Sequence, residues 1–150
     1  MLWLLSNFYN YHEEFDKAKD LLETLYGTGR NTKPITLLLA RVYYNLDQYD
    51  KVREVLIDRE DLSPSDHGNY YLGHSLIELG EFEAAIKYLT KYTNYHNDKY
   101  VPFVKLGYAY YKQGLYSLAL DAYNVADKIE PMNNNIEESI KLCKERIGTQ

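Results

Sequence analysis

Apolar positions along this chain recur at steps of three and four residues, the spacing of a helix with one buried face. The helical stretches come in pairs. Inside each pair a breaker interrupts the pattern, at Glu13-Glu14, Leu46-Asp47-Gln48, Gly80-Glu81 and Gly114-Leu115. Between pairs lie polar connections with helix start signals: Thr32 ahead of Pro34 in "GTGRNTKP", and Asp98 in "NDKYVP". A third connection, "SPSD", predicts Ser63 as N-cap, Pro64 in the first helical position and Asp66 closing a capping box. Past Pro131, the residues Ile136, Ile140, Cys143 and Ile147 make one apolar stripe, with Glu137, Glu138, Lys141, Lys144 and Glu145 on the remaining face. This predicts a last amphipathic helix over about 134–148.

Gly107 sits in the middle of one helical stretch, where glycine costs about 1 kcal/mol relative to alanine, so a neighbouring helix is expected to come very close to the backbone there. The surrounding pattern is periodic on a longer scale. Leu72, Gly73, Gly80, Phe82 and Ala85 recur in the same order and at the same spacing as Leu106, Gly107, Gly114, Tyr116 and Ala119. Leu39, Ala40, Tyr43, Tyr49 and Val52 prefigure Leu72, Gly73, Leu76, Phe82 and Ala85 at a step one position shorter, which a deletion in the connection explains. Leu5, Ser6, Tyr9, Phe15 and Ala18 open a fourth copy, one full step ahead of the Leu39 set. A small residue recurs in every copy, as Ser6, Ala40, Gly73 and Gly107.

The pattern resembles the tetratricopeptide repeat, most fully in the last copy, where Phe103, Leu106, Gly107, Tyr110, Gly114, Tyr116, Ala119, Tyr123, Ala126 and Pro131 fit it. Other copies depart: Asn69 replaces the first aromatic, Asp47 stands where Gly80 and Gly114 stand, and Asn97 replaces the closing proline. The resemblance implies an all-α, right-handed superhelical solenoid of antiparallel helix hairpins in a single domain. Its repeats would cover about 1–32, 33–65, 66–99 and 100–133, followed by the capping helix. The outer face of that helix must meet water, which its charges suit. At the other end "LWLLSNFYNY" has no capping residue ahead of it, so the chain either begins abruptly or was cut from a longer array. Trp3 and its neighbours would be partly uncovered, and self-association or a partner contact is expected there.

In the family the first helix of each pair lines a concave surface whose outward residues bind partners. Carried over by position, the resemblance implies a groove of Asn7, Tyr11, Leu37, Arg41, Tyr44, Asn45, Tyr70, His74, Ile77, Val104, Tyr108 and Tyr111. The same carry-over puts Trp3, Asn10, Glu78, Val101 and Lys112 on this surface as well. Such a face is richer in aromatic and aliphatic groups than a solvated helix surface, and Tyr44, Tyr70, Tyr108 and Tyr111 are expected to be solvent-accessible anchors on it. Tyr9, Tyr43, Tyr49, Tyr110, Tyr116 and Tyr123 fall on core positions instead. The implied function is non-catalytic binding of a protein or peptide partner. The clamp for acidic chaperone tails is not matched, because only Asn7 agrees while Trp3, Leu38, Tyr71 and Val101 occupy other clamp positions. The groove is more similar to that of bacterial type III secretion chaperones, which hold an apolar segment of a secretion substrate; an architectural piece of a longer array is the remaining alternative.

Charge and composition narrow the field. A net charge of -5 and a pI near 5.4, with no cluster of Lys and Arg, argue against nucleic acid. No apolar run is long enough for a membrane span, "MLWLL" lacks the features of a signal peptide, and the single Cys143 suits a reducing compartment, so a cytoplasmic protein is expected. No cofactor, metal site or catalytic group is expected. "GTGR" at 27–30 lacks the Lys-Ser/Thr and the preceding strand of a phosphate loop and reads as a turn. His12, His67, His74 and His96 show no metal-ligand spacing, and no Asp or Glu is expected on the face shared by His67 and His74.

Overall fold

The computed structural model describes residues 1–149. Within them the chain forms nine helices and no strand: α1 (Leu2–Tyr11), α2 (Phe15–Gly27), α3 (Lys33–Asn45), α4 (Tyr49–Leu56), α5 (Gly68–Glu78), α6 (Phe82–Thr93), α7 (Tyr100–Lys112), α8 (Tyr116–Ile129) and α9 (Asn134–Gly148). They pair as antiparallel hairpins, α1 with α2 through α7 with α8, and the second helix of each hairpin packs on the first helix of the next. The last such contact is α8 on α9. The result is an all-α solenoid.

One turn closes all four hairpins. Glu13, Asp47, Gly80 and Gly114 each adopt a left-handed backbone, with φ of 59°, 54°, 77° and 73°. The next residue then donates its N–H to a carbonyl five positions back: Glu14 to Tyr9 and Gln48 to Tyr43 at 2.9 Å, Glu81 to Leu76 at 2.8 Å, Leu115 to Tyr110 at 3.0 Å. This Schellman closure satisfies a carbonyl that the helix end would leave orphaned. Glycine takes the conformation freely, whereas Glu13 and Asp47 do so against a steric penalty of about 1 kcal/mol each.

The start signals behave less uniformly. Thr32 precedes α3 with Pro34 in the first turn, but its hydroxyl makes no capping bond. The Ser63–Asp66 pairing forms, with the Ser63 N–H and hydroxyl donating to Asp66 Oδ2 at 2.7 and 2.8 Å, yet α5 begins only at Gly68. The expected capping box is therefore a closed turn ahead of the helix. Buried Asn69 holds it in place, its Nδ2 donating to the carbonyls of Ser63 and Asp66. Asp98 is likewise one residue too early, since Lys99 occupies the cap of α7. Among the described helices only α9 has a side-chain cap, Asn133 accepting from the Asn135 N–H.

The glycines in mid-helix have a direct cause. A Cβ on Gly107 would lie 2.7 Å from the Tyr123 ring, and one on Gly73 would lie 2.6 Å from Leu89 Cγ. Tyr123 and Leu89 stand at equivalent places on the second helices of successive hairpins, and both are buried. The close approach is thus a side chain of the hairpin's own second helix pressing onto the backbone of the first.

Burial follows the stack. Leu39, Leu72 and Leu106 are 1%, 0% and 6% exposed, but Leu5 at the same repeat position is 38% exposed. Val42, Ser75 and Ala109 are all buried, whereas Phe8 at that position is 53% exposed. Each inner member is covered by the preceding hairpin; no described element covers α1 on that side. At the other end α9 closes the core with Ile136 and Cys143, while Ile140 is half-buried and Ile147, expected on the stripe, is exposed. Burial pushes the Cys143 thiol above its ordinary pKa, which suits packing and not nucleophilic chemistry.

Candidate functional site

First helices of successive hairpins touch one another, α1 with α3, α3 with α5, α5 with α7, and among the described residues no comparable contact joins the second helices. Neighbours crowd on the inside of a curve, so the first helices form the concave face. All twelve residues expected in a groove lie on those helices, but they do not share one environment. Tyr11, Arg41, Asn45 and Tyr108 are exposed; Asn7, Leu37, Tyr44, Tyr70, His74, Val104 and Tyr111 are half-buried. Ile77 corrects the expectation, because it is 6% exposed and packed in the core. Of the four anchor tyrosines only Tyr108 is exposed, at 39%, with Phe82 beside its ring. Among the other residues carried over to this surface Val101 is exposed, and Asn10 is buried with its Oδ1 unpartnered.

The half-buried middle of the face is a polar network joining three hairpins. Lys105 of α7 donates to His74 Nε2 at 2.7 Å and lies 3.8 Å from Glu78. On the other side of the ring, His74 Nδ1 and the Tyr44 hydroxyl share a hydrogen bond at 2.6 Å, its direction set by the tautomer that Lys105 and Glu78, both at Nε2, select between them. Tyr44 in turn reaches the Tyr70 hydroxyl at 3.5 Å. Burial first, and then the Lys105 charge, hold the His74 pKa below its ordinary value, consistent with a neutral ring. Burial also raises the Tyr44 phenol, reinforced by Tyr70. Contrary to expectation, a carboxylate does share the histidine face: Glu78 lies 3.1 Å from His74 Nε2, one helical turn on. Tyr44, Tyr70 and His74 thus act as joints between α3, α5 and α7.

Outside the network the face opens into cavities. One of about 300 Å³ lies between α1, α3 and α5 and is lined by Trp3, Asn7, Leu37 and Arg41. A second of about 520 Å³ lies between α5, α7 and α9, with Val104, Tyr108 and Ile77 on one side and Asn135, Ile136 and Ser139 on the other. A smaller one, about 200 Å³, joins Tyr108 and Tyr111 to Leu142. Sequence reasoning treated α9 as a cap only; the structure also makes it the end wall of the face. The signal was present in Ser139, a small residue one turn from buried Ile136. Lys105 and Tyr100 were also missed, Tyr100 because it begins α7 at the lip of the face.

Among the described residues no group of histidine, cysteine and acidic side chains could hold a metal ion, and no helix is long and apolar enough to cross a membrane.

Comparison with known proteins agrees with this architecture. Residues 67–96, which include α5 and α6, match the family model described as tetratricopeptide repeat. No curated protein sequence matches the chain. Among solved structures, MamA MSR-1 superposes with a TM-score of 0.83 at 17% identity, over 99% of this chain and 86% of that one. MamA AMB-1, in a C2221 structure, gives 0.83 at 19% identity over 95% and 85%. A further MamA structure gives 0.80 at 21% identity over 98% and 81%. At these identities the likeness is one of fold. The chain is a solenoid of tetratricopeptide type, with its third hairpin an identified repeat.

Proposed function

We propose that the concave face is a non-catalytic docking groove for a polypeptide segment, in a cytoplasmic protein. Tetratricopeptide solenoids generally serve as protein-interaction scaffolds, and the fold leaves their partners open. The observation that carries the reading is the cavity between α5, α7 and α9, where Val104 and exposed Tyr108 face Asn135 and Ser139 of α9 across a mixed apolar and polar space. Tyrosine suits such a place, offering a large apolar area, few rotamers to lose and a hydroxyl for a partner. The bound chain would enter along α7, because the middle of the face is already occupied by the Tyr44–His74–Lys105 network. The test is calorimetric titration of a co-purified partner segment. Tyr108→Ala should weaken binding by about 2 kcal/mol with the melting temperature unchanged. Normal binding by that variant would overturn the reading.

A second contact is supported by the exposure of Leu5 and Phe8 against their buried equivalents. We propose that the outer face of α1, which carries no charged residue from Leu2 to Tyr11, pairs with a second copy of the chain. A face without charge meets its own copy without repulsion. Sedimentation velocity would show a dimer that dissociates in Phe8→Glu; a concentration-independent monomer would remove this reading.

A further inference from the structure

A cavity of about 500 Å³ lies at the lip of the concave face, where the connection between α6 and α7 passes the end of α8. Its wall is aromatic: Tyr70 and Tyr71 from α5, Tyr92 from α6, Tyr100 from α7, and His67 just before α5. The rings support one another, with Tyr70 5.6 Å from Tyr92 and 6.0 Å from Tyr71, and His67 5.7 Å from Tyr92. Tyr92 is buried, while Tyr70, Tyr71 and Tyr100 are half-exposed to the space.

Carboxylates outnumber cations among the residues that line the cavity, although the charge of Arg41 reaches Tyr71 from the neighbouring cavity between α1, α3 and α5. Asp98 and Glu130 line the cavity, and the negative surroundings of Tyr100 extend to Asp127. Lys99 is the single cation among the lining residues, and its ammonium lies 3.4 Å from Asp98. Glu130 has no ion-pair partner among the described residues. Helix ends add nothing net, since α5 and α7 begin at the cavity and α6 and α8 end there, so their dipoles oppose one another. The preference in sign comes from the carboxylates.

The chain also shows what a tyrosine ring does with a cation nearby. Lys17, Lys51, Lys87 and Lys112 lie over the rings of Tyr9, Tyr43, Tyr88 and Tyr108, at 5.2, 5.0, 5.4 and 5.4 Å. Among the described residues, none of the rings in the cavity has such a cation from the chain. A space walled by aromatic rings, rimmed by carboxylates and lacking an ammonium of the chain over those rings is complementary to a positive group on a slender apolar stem.

We infer that this cavity receives a lysine or arginine side chain of the segment docked on the concave face. The inference deepens the groove reading and rests on it for the source of the cation, because Tyr70 and Tyr71 belong both to the cavity and to the concave helix α5. The stem would lie against the tyrosines and the charge would come to rest between the rings, Glu130 and Asp98. The site specifies where a positive residue must fall in the bound segment, alongside the apolar contacts made near Tyr108.

The experiment uses the full chain, labelled with nitrogen-15, and follows amide shifts during titration. The probes are Nα-acetyl-lysine amide and Nα-acetyl-arginine amide, against the uncharged Nα-acetyl-norleucine amide, with choline as a free small cation. The charged amides should shift residues around Tyr100 and bind at least about fivefold more tightly than norleucine amide. Glu130→Gln, an exposed position, should weaken the charged probes by about threefold or more with melting unchanged, and Tyr100→Leu, a half-buried ring packed on the last cluster, should weaken them as much with the fold kept and a lower melting temperature. Equal affinity for norleucine amide, or undiminished binding by both variants, would overturn the inference. Choline binding more tightly than either amino-acid probe would also overturn it, making the cavity a site for a small quaternary ammonium. Failure here is separable from failure of the groove: a partner that still depends on Tyr108 while the cationic probes do not bind removes only this site. Probes that bind while Tyr108→Ala is silent remove only the groove.

Discussion

The two ends of the solenoid hold equivalent places in the stack and present opposite surfaces. At one end α1 turns outward Leu4, Leu5 and Phe8 with no charge among them, positions that the inner repeats cover wholly or in part. At the other, α9 covers the last hairpin with Ile136 and Cys143 and turns outward Lys141, Lys144, Glu138 and Glu145. The lesson is that a repeat position does not determine burial; the neighbour does. Leu5 and Leu39 are the same residue in the same register, and among the described residues only Leu39 has a hairpin packed in front of it.

The sharpest way to break this contrast is at the capped end. Tyr123 is buried against the Gly107 backbone, so Tyr123→Ala should lower stability by about 3 to 5 kcal/mol, read by chemical denaturation. Next, deleting residues 134–150 should turn the closed end into a second open one, exposing Ala119, Tyr123 and Ala126. Oligomers and a lower melting temperature are expected by light scattering and calorimetry; a monomer with unchanged melting would mean that α9 closes nothing. Gly107→Leu forces the Tyr123 ring aside and should cost about 1 to 3 kcal/mol, measured in the same denaturation series. At the open end Leu4→Glu should leave stability within about 0.5 kcal/mol, as an exposed site does, while reducing any self-association seen by sedimentation. The smallest effect is at the turns. Asp47→Gly should gain up to about 1 kcal/mol by relieving the left-handed strain, less whatever is lost with the Tyr49 hydroxyl bond to Asp47 at 2.7 Å.

Much of the fold was legible because it is written several times. Gly73 and Gly107 mark where a side chain of the second helix presses in, Ser6 and Ala40 hold the same register fully buried, and the hairpin breakers mark where the chain turns left-handed. The cap at Ser63 misled because the Ser63–Asp66 bond closes a turn as readily as a helix, and only the position of Gly68 distinguishes the two. The concave face was harder to read. Placing residues on the inner helices needs only register, but telling an anchor from a joint needs the neighbouring helix. Tyr44 and Tyr108 look alike in sequence; one hydrogen-bonds His74 across the hairpin boundary, and the other lies against Phe82 and under Lys112 with more than a third of its surface exposed. Tyr100 and Tyr92 come together only because a helix start and a helix end from adjacent hairpins meet.

The buried residues form two clusters, one running from α2 to α8 and a smaller one around α8 and α9, with half-buried Tyr110 packed against both. A chain whose contacts are all between neighbours opens in sections, and the seam at Tyr110 is where such a section would detach. Amide exchange should therefore be slowest in α3 through α6, flanked by hairpins on both sides. The residues of α9 and the end of α8 should exchange earlier and together, as one subglobal unit. Any segment held between α7 and α9 would clasp that unit to the rest, so that a ligand of the groove would be visible as slowed exchange in amides it never touches.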